Sequence, residues 1–263
     1  MSDLLLSFFL GLVQGLTEFL PISSSAHLLL PSLIFGSNDL GLPFDIAVHA
    51  GTLVAVIYFF RKELILMTKS IFTNDDRLIE HRKLSTYLII ATIPVIFAGL
   101  IFSNIIQQRI FSISSIAISN LFFAVILLFA FLTRKSNKNL FQLTLYGALF
   151  IGIVQCFALI PGASRSGTAI TAALLIGMNL KDSSKFSFML GIPTILGALV
   201  LLIIEIQTLD ITYNSMNLFI GFFVSMIFAF FTIKLFLDFV EKIGMIPFVT
   251  YRIFLAALLF LLI

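Results

Sequence analysis

Long charge-free runs recur along this chain, at about 86–106, 111–133, 186–204 and 215–233, and two further apolar runs, 44–60 and 247–263, carry few charges. A helix needs about 20 mostly apolar residues to cross the hydrocarbon of a bilayer, so all six runs can cross with modest adjustment. Composition agrees. Hydrophobic residues make up 60% and charged residues 11% of the 263 residues, whereas soluble domains hold about 45–50% and about 25%. A soluble globular protein and a disordered chain are both excluded. A single cysteine, Cys156, allows neither an intrachain disulfide nor a thiolate metal cluster. A formal charge of +3 is too small and dispersed for nucleic-acid binding. The N-terminal apolar run does not read as a signal peptide, because it lacks a basic start and carries Asp3 and Glu18.

Two other apolar stretches, 4–36 and 139–180, are interrupted. The first is broken by Pro21 and the cluster Ser23, Ser24, Ser25; the second by Pro161, Gly162 and the run Ser164, Arg165, Ser166, Gly167. Interrupted backbone at membrane depth is tolerated only inside protein or along a wet cavity. These stretches therefore read as re-entrant helical hairpins. The expected fold is an all-α integral membrane protein, a single polytopic domain over 1–263, with six transmembrane helices plus two re-entrant helical hairpins.

Lys and Arg set the orientation. Loop 61–83 holds Arg61, Lys62, Lys69, Arg77, Arg82 and Lys83; loop 134–139 holds Arg134, Lys135 and Lys138; Lys181, Lys185 and Lys242 follow. The opposite connections, 1–3, 37–43, 107–110 and 205–214, contain Arg109 alone. The basic side is then cytoplasmic, with both termini outside. Tyr58, Tyr87, Tyr146, Tyr213 and Tyr251 sit near proposed span ends, as interfacial rings do.

The halves, about 1–133 and 139–263, resemble each other. Gly11 and Gln14 match Gly152 and Gln155 at an offset of 141; Pro21 and Pro161, Ser24 and Ser164, and Gly51 and Gly191 match at 140. With the first hairpin entering from outside and the second from inside, this is an inverted-topology repeat whose broken helices meet near the midplane.

Ionisable groups in such a chain cost about 2.5–3.5 kcal/mol each on insertion scales and mark function by default. Glu18, His27 and Arg165 all lie in the broken segments. Gln14 and Glu18, four apart, share a helix face and offer hard oxygens to a divalent cation such as Mg²⁺ or Ca²⁺. Ser23, Ser24 and Ser25 fall where the next helix begins, and free N–H groups there bind phosphate. Ser24 and His27 share a face and can supply a hydroxyl nucleophile and a base. In the second hairpin Ser164, Ser166 and Thr168 add hydroxyls, Arg165 a planar fork for phosphate oxygens, and Gly167 close backbone approach. The pattern suits a polyanionic head group on a lipid tail. His49, beside Gly51, reads as a packing or helix-bonding residue, and Asp45 as a cap of its span.

At these hairpins the sequence resembles the bacitracin-resistance type of undecaprenyl-diphosphatase. The segment from Gln14 through Glu18 and Pro21 to His27, and the segment from Pro161 to Gly167, carry the resemblance; His49 to Val56 and Pro247 to Arg252 are also similar to family sequence. The resemblance implies a multi-pass enzyme of the bacterial cytoplasmic (inner) membrane, opening to the outer, periplasmic face. Such enzymes hydrolyse undecaprenyl diphosphate to the monophosphate and phosphate, which recycles the carrier for peptidoglycan synthesis and gives bacitracin resistance. It implies catalytic roles for Glu18, Ser24, His27 and Arg165, diphosphate binding by Ser23, Ser164, Arg165, Ser166, Gly167 and Thr168, and a divalent cation at Gln14 and Glu18. Gln14 is a permitted form of a position that holds Glu or Gln. Thr168 precedes Ala169, where the family usually has a small residue and then Thr.

Either Ser24, helped by His27, or His27 itself attacks phosphorus in this scheme. The partners expected are a polyprenyl diphosphate lipid and the bilayer, with no nucleic acid; homodimerisation is left open. The rival reading is a polyprenyl-phosphate transporter or flippase, since inverted repeats with broken helices are transporter architecture. A purely structural subunit leaves the buried Glu, His and Arg without a role.

Overall fold

A computed structural model describes residues 2–73, 75–102, 112–206 and 214–262. The expected connection 107–110 and residues 207–213 of the expected connection 205–214, with Arg109 and Tyr213, lie outside the described residues. Eleven described helices follow in order: α1 (Asp3–Thr17), α2 (Ser24–Phe35), α3 (Gly41–Phe59), α4 (Arg61–Phe72), α5 (Ile79–Ile101), α6 (Ile113–Thr133), α7 (Leu145–Gln155), α8 (Arg165–Leu175), α9 (Leu180–Ile206), α10 (Ser215–Ile243) and α11 (Ile246–Leu261). The described residues contain no strand beyond an isolated bridge between Lys138 and Met178.

Five helices, α3, α5, α6, α9 and α10, are long and apolar enough to cross a membrane. The sixth expected span, 247–263, is the shorter α11 of 16 residues, about 24 Å at 1.5 Å per residue. Its start is set by Gly244 at φ 71° and Pro247 in its first turn, residues that stop one helix and open the next. The two interrupted stretches each fold as a broken pair, α1 with α2 and α7 with α8.

The interior combines an apolar core, with Phe19, Phe44, Phe186 and Phe188 fully buried, with polar side chains, while many other large apolar residues face out. Ser7, Gln14, Asn120, Gln155, Ser166 and Arg252 are buried, while Phe72, Phe97, Phe129 and Phe254 are exposed. Lipid is as apolar as phenylalanine, so helix association here rests on close packing and buried polar contacts. α1 packs on α10 and α7 on α5; α3 packs against α9 and α10, and α6 against α11. Glycines permit these approaches. A Cβ on Gly15 would lie 2.7 Å from the Ser225 carbonyl oxygen, and one on Gly152 would overlap the Ala91 carbonyl oxygen.

The 61–83 segment is not a loop. Leu64, Met67 and Ser70 turn inward from α4, while Ile65, Ile71 and Phe72 are exposed beside Lys62 and Lys69. The i, i+3 spacing of its inward residues is a helical signal hidden by the charges. The basic segments gather at one end. Lys62, His81, Asn139, Asp182 and Lys185 line a common cavity. Gly244 packs against Phe131, whose ring lies 3.8 Å under the Arg134 guanidinium. The connection from Gly36 to Leu40 closes the other end, one length of α3 away.

Candidate active site

Both breaks have the same local form. α1 ends at Thr17, four residues before Pro21, and Glu18 keeps helical backbone with its N–H on the Gln14 carbonyl. The chain then turns and re-enters helix after Ser23, whose φ is 70°. In the second break the residue before the new helix is Ser164, with φ 73°. Two non-glycine residues in left-handed backbone at matching places hold local strain of the kind that collects at functional sites. By backbone geometry Ser23 occupies the place of Ser164, and Ser24 that of Arg165, an offset of 141 as for Gly11 and Gln14. Ser23 Oγ lies 3.3 Å from Ser25 Oγ, and Ser164 Oγ 3.2 Å from Ser166 Oγ, one arrangement made twice.

The two breaks are tied directly to each other. The Gly162 N–H donates to Ser23 Oγ at 3.1 Å, and Ser166 Oγ donates to the Leu20 carbonyl at 2.9 Å. Arg252 of α11 completes the tie. It is fully buried, and its guanidinium donates to the carbonyls of Pro21 (3.2 Å), Gly162 (2.6 Å) and Ala163 (3.3 Å) and to Asn120 Oδ1 (2.8 Å). These are carbonyls that a break frees from the helical ladder. Without such donors at membrane depth each would cost about 1–3 kcal/mol.

Glu18 stands at the centre of the polar cluster. Arg165 Nη2 donates to its Oε1 at 3.0 Å, an ion pair between residues 147 apart in sequence. Ser24 Oγ donates to its Oε2 at 2.6 Å, and Gln14 Nε2 to the same oxygen at 2.9 Å. His49 Nε2 lies 3.9 Å from that oxygen. A cavity of about 210 Å³ faces this cluster, lined by Glu18, Ser23, Ser24, Ser25, His49, Ser164, Arg165 and Thr194 among its polar groups. Arg165 Nη1 is buried there with no partner, pressed against Gly191, where a Cβ would overlap it. A second cavity of about 340 Å³ shares Ser25, His49, Leu159 and Ala198 with the first and continues along Leu28, Leu29 and Phe44 to Asn38 and Asp39. Charged oxygens thus have a donor-rich head space, and an apolar passage leads from it to the end away from the basic segments.

Among the expected residues, Gln14, Glu18, Ser23, Ser24, Ser164 and Arg165 come together. The expected Ser24–His27 pair does not form. His27 Nδ1 is 2.7 Å from the Ser23 carbonyl, and its Nε2 is 2.6 Å from the Tyr251 hydroxyl, with the two rings stacked. Because a carbonyl only accepts, Nδ1 carries the proton and Nε2 accepts from Tyr251. Ser166, Gly167 and Thr168 brace the turn and do not line the cavity: Ser166 bonds Leu20, Gly167 donates to Ser164 Oγ at 3.1 Å, and Thr168 Oγ1 donates to the Arg165 carbonyl at 2.9 Å. Asp45 lies inside α3, which starts at Gly41, so it does not cap that helix.

His49, expected as a packing or helix-bonding residue, turns toward Glu18, with Nδ1 on the Asp45 carbonyl at 2.7 Å. Nor was Arg252 singled out, although a lone charge in the apolar run 247–263 was itself a signal. Tyr251, read as an interfacial ring, holds His27.

As for a metal, no group of three or more His, Cys, Asp or Glu side chains clusters among the described residues. The structure does leave Gln14 Oε1 buried and unpartnered on the face it shares with Glu18. An amide oxygen and one carboxylate fit Mg²⁺, which keeps waters and takes substrate phosphates as ligands.

A profile of the family described as bacitracin resistance protein BacA matches residues 7–258. The chain belongs to this family. It is 45% identical to the undecaprenyl-diphosphatase of Saccharophagus degradans, over 99% of this chain and 98% of the relative. It is 44% identical to that of Alcanivorax borkumensis, over 95% and 96% of the two chains. The Marinobacter nauticus protein of the same name is 40% identical over 98% of each. With five helices of crossing length, this BacA-family chain is a multi-pass membrane protein.

Proposed function

We infer that the chain is an undecaprenyl-diphosphatase, a hydrolase that converts undecaprenyl diphosphate to undecaprenyl phosphate and inorganic phosphate. The observation that carries this is the Glu18–Arg165 pair with the Ser24 hydroxyl on the same carboxylate, in a head space joined to an apolar passage. The relatives' names favour the phosphatase over a flippase, and a hydroxyl bonded to a carboxylate is a feature that transport alone does not need.

In the mechanism we propose, Arg165 and the first N–H groups of α2 and α8 hold the terminal phosphoryl oxygens, and positioning with charge neutralisation lowers the barrier. Ser24 Oγ attacks phosphorus in line, and Glu18 Oε2 takes its proton. The anhydride P–O bond breaks, and undecaprenyl phosphate leaves. Glu18 passes that proton to the departing undecaprenyl phosphate. It then takes a proton from the water that attacks the phosphoserine and returns it to Ser24 Oγ as the Ser24 P–O bond breaks and phosphate is released. Within this scheme His27 is a positioning residue that fixes Ser23 through its carbonyl. Glu18 and Gln14 would hold a divalent cation, which when bound would add positive charge against the diphosphate.

Several features support the finer topology, in which the broken pairs are re-entrant and the halves form an inverted repeat with α11 as a sixth, short crossing. Matching N-cap residues, matching serine pairs, and the corresponding contacts of α1 with α10 and α7 with α5 all favour it. Basic residues at one end favour a cytoplasmic placement of that end, which puts the cavity mouth at the periplasmic face of the inner membrane.

The test is acid-quenched turnover of purified protein with undecaprenyl diphosphate, with and without Mg²⁺. Phosphate release with phosphoserine mapped to Ser24 is expected. Turnover with no protein adduct would replace the serine step by direct attack of water, and no phosphate release would remove the function.

A further inference from the structure

The basic end holds a cavity of about 490 Å³ that shares no residue with the catalytic cleft. Phe60, Leu66, Met67 and Leu84 form apolar wall, and Lys62, Lys185, His81 and Asn139 supply polar groups. Among the described residues neither ammonium is in an ion pair. His81 Nδ1 is buried without a partner. Two acids also line the space. Asp182 is occupied structurally, accepting from the Leu140 N–H at 3.1 Å and Asn179 Nδ2 at 2.8 Å; Glu63 is the remaining carboxylate.

Leu40 lines the passage from the active site and Phe60 lines this cavity. They bracket the 19 residues of α3, so the mouth of the passage and this cavity are about 28 Å apart along that helix, while Thr194 of the cleft and Met189 of this cavity both lie on α9, about 8 Å of helix apart. The roof is α4, whose Phe72 (82%), Ile71 (57%) and Ile65 (52%) are exposed next to Lys62 and Lys69. A helix with apolar and basic groups so disposed lies in the headgroup layer.

We propose that this cavity is a second, non-catalytic site for the phosphate ester of an anionic lipid. The oxyanion sits between Lys62 and Lys185 with His81 as a hydrogen-bond partner, and the first carbons of the lipid lie on Leu66 and Met67. Basic pockets between spans at a membrane surface attract such head groups. Free phosphate shares the oxyanion chemistry, and the apolar wall selects the lipid. The proposal rests on the membrane placement and is independent of the catalytic assignment.

The experiment uses full-length protein in phosphatidylcholine nanodiscs doped with photoactivatable phosphatidylglycerol, with labelled peptides mapped. Labelling of the α4 and α9 peptides that carry Lys62 and Lys185 is expected. Lys62→Gln with Lys185→Gln should lower it about tenfold, and Glu63→Gln should raise it. Diphosphate hydrolysis by all variants should stay at the unaltered level, which also reports that they are folded. Equal labelling of the double variant and the unaltered protein would overturn the proposal. Displacement of the label by inorganic phosphate would also overturn it, by assigning the site to the free anion.

Discussion

Arg165 neutralises the buried Glu18 through Nη2, and its Nη1 is buried against Gly191 without a partner. Lysine carries the charge but not the fork, so Arg165→Lys should lower kcat about 10²–10³-fold, as loss of a transition-state donor does, while the protein stays folded. Steady-state phosphate release checks this. Gly191 makes a subtler case. The three atoms nearest a Cβ there all belong to the Arg165 guanidinium, the end of a flexible side chain, so Gly191→Ala should displace Arg165 and reduce turnover with little change in the thermal midpoint. Equal loss of both would mean that Gly191 serves packing alone. Chemistry was legible where polar residues were rare in an apolar chain: Glu18, Ser24 and Arg165 stood out for that reason. The base assigned to Ser24 was not legible, because His27 lies on the same helical face only by spacing. Spacing does not report that Tyr251, 224 residues away, occupies its Nε2.

Breaking a helix inside a bilayer frees carbonyls, and the described elements return them to donors on other helices. Arg252 of α11 serves three of them across two breaks. Arg252→Met fills similar volume and leaves these carbonyls unpaired, at about 1–3 kcal/mol each. A marked fall in the thermal midpoint in detergent is expected, with Arg252→Lys intermediate; an unchanged midpoint would show that water serves these carbonyls. The broken pairs were readable from Pro21, Pro161 and the serines after them. α4 was not, because charge content dominated the reading while the inward set Leu64, Met67 and Ser70 kept helical spacing. Matching proline to proline sets Ser24 against Ser164, whereas backbone geometry sets Ser23 against it, because the two turns place proline at different distances from the helix start.

At the scale of the molecule, sidedness and the site belong to one design. Basic segments distant in sequence collect at one end, and the passage from the active site leads to the other. In a Cys156→Ser background, a cysteine replacing Asn38 should react with an impermeant maleimide from outside intact cells. One replacing Lys138 should react only after permeabilisation. The central claim is that the two breaks build one catalytic centre from both halves of the chain. The direct measurement is a double-mutant cycle on kcat/KM with Glu18→Gln and Arg165→Gln. If the residues act as a unit, the double variant loses about as much as either single variant; losses that multiply across the cycle would contradict a shared site.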